Sequence, residues 1–223
     1  MSRVLARSGR APDAVRLLAV TKGWPAEIAG EAFRLGASEL GESRIQEAEP
    51  KIARVGAGPR WHLVGHLQTN KVKRAVALFE EIHSIDSVRL AEEISRRAAE
   101  QGRAPHVYVE VNTSGDASKH GVSPGGALEL VERVTSLPAL RTAGLMTIGP
   151  LLGGEEGARE SFRVLRRIRD EAVERGLLPG GAGLSMGMSH DFEIAIEEGA
   201  TIVRVGSALF GSVGERGGEV RES

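Results

Sequence analysis

Lys22 closes the apolar run Arg16-Leu-Leu-Ala-Val-Thr-Lys22 and is one of five lysines in a chain whose positive charge is otherwise carried by arginine. An amine at such a place can do what a guanidinium cannot: with a lowered pKa it attacks an aldehyde and forms a Schiff base. A solvated lysine ending a strand accounts for the same residue. Lys119, in the polar loop from Asn112 to Gly121, is a rival amine. Two further segments could supply a ligand for such an amine: Ser185-Met-Gly-Met-Ser-His-Asp-Phe192 and Ile202-Val-Arg-Val-Gly-Ser-Ala-Leu-Phe-Gly211. Amides freed where a strand opens into a helix, a glycine permitting close approach and a serine hydroxyl together make an anion site. Ser189, Gly206 and Ser207 fall where that site needs them. Ser189 also reads as the N-cap of a helix starting at Asp191.

Arg204 lies between Val203 and Val205, so on a strand it faces away from both. It points either inward, where burial demands an acceptor, or outward, with its stem in a helix layer. His62 and His66 are four apart, but the apolar alternation around them reads as strand, so helical metal-ligand spacing does not apply. No metal site is expected.

The elements that must position these residues alternate from end to end. Strands are expected at residues 17–21, 38–41, 61–65, 82–85, 106–111, 141–146, 183–186 and 202–205, with helical segments at 25–35, 44–55, 70–79, 87–101, 124–136, 155–175 and 191–198. Eight strands and seven helices suit a single-domain α/β fold, the (β/α)8 TIM barrel, with functional residues at the C-terminal ends of the strands. A doubly wound sheet would gather its ligand at one switch point. Here polar residues follow nearly every strand. Residues 1–211 are assigned to the barrel, and residues 212–223 to a disordered tail.

Among the chain's 223 residues 41% are hydrophobic, the net charge is −1 and the pI is near 6.6, so no global basic field calls for a nucleic acid or a membrane. The arginines between Arg159 and Arg175 alternate with acids, as on a solvated helix face. Without cysteine, disulfides and thiolate chemistry are excluded, and a cytoplasmic protein is expected. No apolar run approaches the ~20 residues of a membrane span.

Taken in order, LLAVTKG, GES at Gly41 to Ser43, WHLVGHLQTNK, HSID at His83 to Asp86, GLMTIG, LSMGMSHDFEIAI and VRVGSALFG resemble the YggS/PROSC family of pyridoxal 5′-phosphate-binding proteins. The likeness runs over about residues 15–211. It implies a barrel similar to the N-terminal domain of alanine racemase, with the cofactor pyridoxal 5′-phosphate (PLP) held as an internal aldimine on Lys22. It further implies that Ser189 and the amides of Gly206 and Ser207 hold the phosphate, that Arg204 meets the pyridine nitrogen, and that Ser43, Met146 and His62 line the pocket. At Ser43 the family usually has Asn, and it usually has a full helix before the first strand, where Met1 to Arg10 leave room only for a shortened or truncated one.

The function this implies is non-catalytic: PLP binding in vitamin B6 and amino-acid homeostasis by a monomer, with apo-PLP enzymes as further partners. The alternative is a PLP-dependent amino-acid racemase with weak activity. Racemisation on the alanine racemase plan needs a tyrosine from a second domain, whereas the sole tyrosine here, Tyr108, falls mid-strand.

Overall fold

Eight short strands, apolar toward the helices, close into a parallel barrel in the computed structural model, which describes residues 1–116, 118–150 and 153–211. They are β1 (Arg16–Val20), β2 (Glu39–Glu42), β3 (Arg60–Leu63), β4 (Glu81–Ile85), β5 (His106–Glu110), β6 (Arg141–Met146), β7 (Gly183–Ser185) and β8 (Ile202–Val205). Barrel order is chain order, and β8 closes on β1 in register from Arg16↔Ile202 to Ala19↔Val205. All eight expected strands are present, with ends shifted by at most two residues. The proposed tail, residues 212–223, lies outside the described residues.

Around the barrel run α1 (Ser2–Arg7), α2 (Ala26–Arg34), α3 (Ile45–Val55), α4 (Val72–Leu78), α5 (Val88–Glu100), α6 (Ala127–Thr135), α7 (Gly154–Glu174), α8 (Phe192–Glu197) and α9 (Ser207–Phe210). The expected helices at 70–79 and 124–136 each begin with a 3-10 turn. Before β1 stands the six-residue α1, whose Val4 and Leu5 are buried. Arg10 then donates to the carbonyls of Ile196 and Ala200, which ties this segment to the start of β8. No helix among the described residues is long and apolar enough to cross a membrane.

Strand alternation sorts the side chains into two cores. Ala19, Val107, Val109, Leu145, Val203 and Val205 face the helices, whereas Leu18, Val20, Tyr108, Met146 and Ile202 pack together inside the barrel. Sharing a face with Ile202 turns Arg204 inward, which decides the choice that alternation alone left open.

Barrel interiors are usually filled by branched apolar side chains, but the floor of this one is ionic. Arg16 donates to Glu39 at 2.9 Å, to Glu81 at 3.0 Å and to Tyr108 Oη at 3.1 Å, and Arg60 donates to Glu81 at 2.7 Å. Between β6 and β7 the backbones approach so closely that a Cβ on Gly144, at φ 155°, would collide with the Gly183 carbonyl. That contact keeps the β6 and β7 ends, which carry Met146 and Ser185, in register.

Candidate functional site

At the C-terminal ends of the strands a cavity of about 400 Å³ is lined by Val20, Lys22, Ser43, Ser189, Arg204 and Gly206, with Ser207, His190, Met188, Ile148, Val64 and Gly65 completing the wall. Six of the eight residues named from the sequence therefore meet in one place. Beneath Lys22 the chain is braced. Lys51 of α3 donates to the Thr21 carbonyl at 2.7 Å and to buried Glu42 at 2.6 Å, and the Thr21 hydroxyl donates to the same carboxylate. Lys22 itself has no hydrogen bond or ion pair among the described residues. The rival Lys119 donates its amine to the Gly149 carbonyl at 2.7 Å.

Ser189 does not cap α8. That N-cap is Asp191, whose Oδ1 accepts from the Met188 amide. Instead the Ser189 hydroxyl accepts the amides of Gly206 and Ala208, each at 3.2 Å, and so links the loop after β7 to the turn after β8. The Ser207 amide between them has no partner among the described residues. A Cβ on Gly206 would press against the Val20 carbonyl at 3.0 Å, so glycine lets this turn lie close to β1. On the opposite wall a Cβ on Gly65 would collide with the Ser43 carbonyl.

Arg204 is 5% exposed and well held. One terminal nitrogen donates to the carbonyl and hydroxyl of Ser185 at 2.7 and 2.9 Å, and the other to the Thr147 carbonyl at 2.8 Å. Burial pulls its pKa down to about 10 against the attraction of Glu110 and Asp191, so it remains a cation at neutral pH. Its Nε has no partner among the described residues.

Below Arg204 the hydrogen bonds run in series. Ser185 Oγ lies 2.9 Å from His83 Nδ1, and His83 Nε2 lies 3.1 Å from His62 Nδ1. A guanidinium only donates, so Ser185 accepts from Arg204, and its hydroxyl is bonded in turn to His83. Burial lowers both histidine pKa values, which favours neutral rings. Arg204 is thus coupled to the ionic floor through three side chains.

Two residues named from the sequence fall outside the cavity lining. His62 is fully buried one layer below the cavity, committed to His83, and does not line the wall. Met146 is likewise fully buried, packed with Leu18, Val20 and Tyr108 beneath the cavity. Strand position told which face they share but not how deep they sit. Conversely, His190, Met188 and Ile148 reach the wall and were not singled out. Their loops carry no periodicity from which a direction could be read.

Beside the first cavity, sharing Val64, Gly65 and Ile148, is a second of about 300 Å³ lined by His66, Glu110, Asn112, Lys119 and His120 among others. Glu110 is buried and its Oε2 has no hydrogen-bond partner. Burial, then the neighbouring Asp86 charge, pushes its pKa up to about 7. A larger cleft, about 980 Å³ along α2 and α3, contains none of the residues named from the sequence. It is an open surface groove between helices. The converging amine, hydroxyl, amides and guanidinium make the mouth cavity the better candidate.

The chain is similar to several known proteins. The family described as alanine racemase, N-terminal domain, matches residues 3–213. A pyridoxal phosphate homeostasis protein of Aquifex aeolicus is 45% identical, over 92% of this chain and 90% of its own length. That of Homo sapiens is 37% identical over 88% of this chain and 76% of its own. Among solved structures, PipY of Synechococcus elongatus with PLP bound superposes with a TM-score of 0.82 at 35% identity, covering 94% of this chain and 99% of PipY. Alanine racemase of Clostridium difficile shares the fold, with a TM-score of 0.78 at 15% identity over 95% of this chain and 55% of its own.

Proposed function

The chain belongs to the alanine racemase N-terminal-domain family, among the pyridoxal phosphate homeostasis proteins, and on that premise we propose that the mouth cavity binds PLP. When bound, the cofactor supplies an aldehyde that condenses with a primary amine, releasing water, and a phosphate. The observation that carries the reading is the convergence of an unengaged amine, a serine-bridged pair of amides and a buried cation on one cavity of about 400 Å³. Lys22 would hold the aldehyde carbon. Ser189, with the amides of Gly206 and Ser207, would hold the phosphate, the serine hydroxyl giving up part of its present contact to the Gly206 amide. Arg204 would place its free Nε–H against the pyridine nitrogen. Because this cation keeps its proton at neutral pH, it donates a hydrogen bond and leaves that nitrogen unprotonated, which weakens the ring as an electron sink.

The role we propose is non-catalytic: holding and buffering PLP in the cytoplasm, as a monomer, and passing it to apo-enzymes. Tyr108 supports this. It is 2% exposed, stacks on His83 at 4.4 Å and is bonded to Arg16 inside the barrel, so it is not available as a second base at the mouth. The test is borohydride reduction of the PLP-loaded protein followed by peptide mapping. The label is expected on Lys22, and a label chiefly on Lys119 would overturn the assignment. Exchange of the Cα proton of L-alanine in heavy water is expected to be absent or very slow. Turnover at ordinary enzyme rates would restore the racemase reading.

A further inference from the structure

Three successive strands, β3, β4 and β5, each deliver one metal-ligating side chain to the same side of the barrel mouth. His66 stands three residues beyond β3, Asp86 directly follows β4, and His120 lies in the loop after β5. The two imidazoles stack with centroids 3.8 Å apart and planes at 10°. Asp86 Oδ2 is 3.4 Å from His66 Nδ1, and one ligand atom from each of the three residues lies within 4.8 Å of the others. We propose that His66, Asp86 and His120 form a binding site for one divalent transition-metal ion of the zinc, nickel or cobalt class.

The donor set selects the ion. Two imidazoles with one carboxylate suit borderline cations, whereas magnesium and calcium require mostly oxygen. Zinc–ligand bonds of about 2.0–2.1 Å place tetrahedral ligand atoms about 3.3 Å apart, the spacing His66 and Asp86 already have. His120 is exposed, stacks on His66 and has a ligand atom within 4.8 Å of those of the other two. The carboxylate is oriented as metal-ligating carboxylates usually are. The hydroxyl of Ser87, the N-cap of α5, donates to Asp86 Oδ1 at 3.1 Å and leaves Oδ2 for the ion.

The surroundings favour a cation as well. The adjoining cavity of about 300 Å³ is walled by Glu110, whose buried Oε2 is unpartnered, while the amine of Lys119, also on that wall, donates to a carbonyl. That cavity leaves room for coordination positions open to water or a small chelating ligand. The other histidine–carboxylate cluster, His62, Glu81 and His83, does not compete. It is at most 2% exposed, and its carboxylate is committed to Arg16 and Arg60. Residue spacing along the chain carries no sign of the mouth site, because its ligands come from three different loops.

The test is calorimetric titration of the full chain, freed of metal by a chelator, with zinc and nickel chlorides. One ion per chain is expected, at least tenfold weaker binding in each of His66→Ala, Asp86→Asn and His120→Ala, and no competition from excess magnesium. Unchanged affinity in the His66→Ala/His120→Ala double variant would overturn the site, as would the absence of saturable binding by the parent protein below the order of a millimolar. A second measurement avoids substitution altogether. Saturating zinc should protect His66 and His120 from histidine-directed acylation, mapped by peptide mass spectrometry, and equal labelling with and without zinc rejects the proposal.

Discussion

Glu81 at the start of β4 and Glu110 at the end of β5 are 2% and 4% exposed, yet the two carboxyls hold protons in opposite ways. Burial alone would raise both. At Glu81 the His83 ring, its Nε2 3.6 Å away, and the hydrogen bonds from Arg16 outweigh burial and keep the carboxyl well below the ordinary carboxylate range. At Glu110 no donor offsets burial, Asp86 adds repulsion, and the pKa climbs to about 7. Depth therefore does not separate floor from mouth; partners do. The floor is a paired network that fixes the barrel, and the mouth is a set of polar groups left open to a ligand. That division can be broken by substitutions that strike one region and spare the other.

The sharpest separation is expected from Lys22→Ala. Cofactor incorporation that survives borohydride should vanish entirely. Because the side chain is exposed and unpaired, stability measured by urea denaturation should stay within about 0.5 kcal/mol of the parent. A large loss of stability would mean that the mouth and the fold are not separable.

The next largest effect belongs to the floor. Glu81→Gln removes one of the two buried carboxylates, with Glu39, that hold Arg16 and Arg60, and should destabilise by about 1.5–3 kcal/mol. The folded fraction should still trap PLP on Lys22. Linkage adds a signature. A carboxyl depressed in the folded state contributes stability that is present above its unfolded pKa and is lost as pH falls toward the folded value. The parent should therefore lose this contribution from about pH 4 downward, and the Gln variant should lack that limb. A melting temperature near that of the parent would show that the network is dispensable.

These contrasts also explain what could be read from the chain alone. β-branched runs followed by Gly, Ser or Asp place strands and their ends, so Lys22, Ser189, Gly206 and Ser207 could be assigned to the mouth as residues near strand termini. Period-two alternation gives the face of a side chain but not its depth, and His62 and Met146, named through the family resemblance, are fully buried outside the cavity lining. Local spacing misread Ser189 as a helix cap. Its donors, Gly206 and Ala208, come from the next strand's turn, 17 and 19 residues away. The floor escaped notice for the same reason: Arg16, Glu81 and Tyr108 meet only once the barrel closes.

A smaller effect tests the bridge between those two turns. Ser189→Ala removes the hydroxyl offered to the phosphate and leaves the backbone amides in place. Hydrogen bonds to charged groups are worth about 1.5–3 kcal/mol, so PLP affinity should fall roughly tenfold or somewhat more. Affinity for unphosphorylated pyridoxal should hardly change. Equal losses for the two ligands would move the phosphate away from Ser189.

The smallest predicted effect carries the comparison of the two glutamates furthest. A carboxyl raised in the folded state contributes stability that is complete below its unfolded pKa of about 4.3 and declines as pH rises toward the folded value. His62 and His83, lowered by burial, act in the opposite direction: the unfolded chain binds their protons first, so stability lost in acid is regained as pH rises through about 6.5. Total stability from pH 5 to 8 mixes these slopes, but the difference between the Glu110→Gln variant and the parent cancels the histidines. That difference should shift in favour of the variant by roughly 1–3 kcal/mol from pH 5 to pH 8, read from urea midpoints at each pH. A difference that stays constant would place an unseen partner on Glu110, and the mouth would then be as fully paired as the floor.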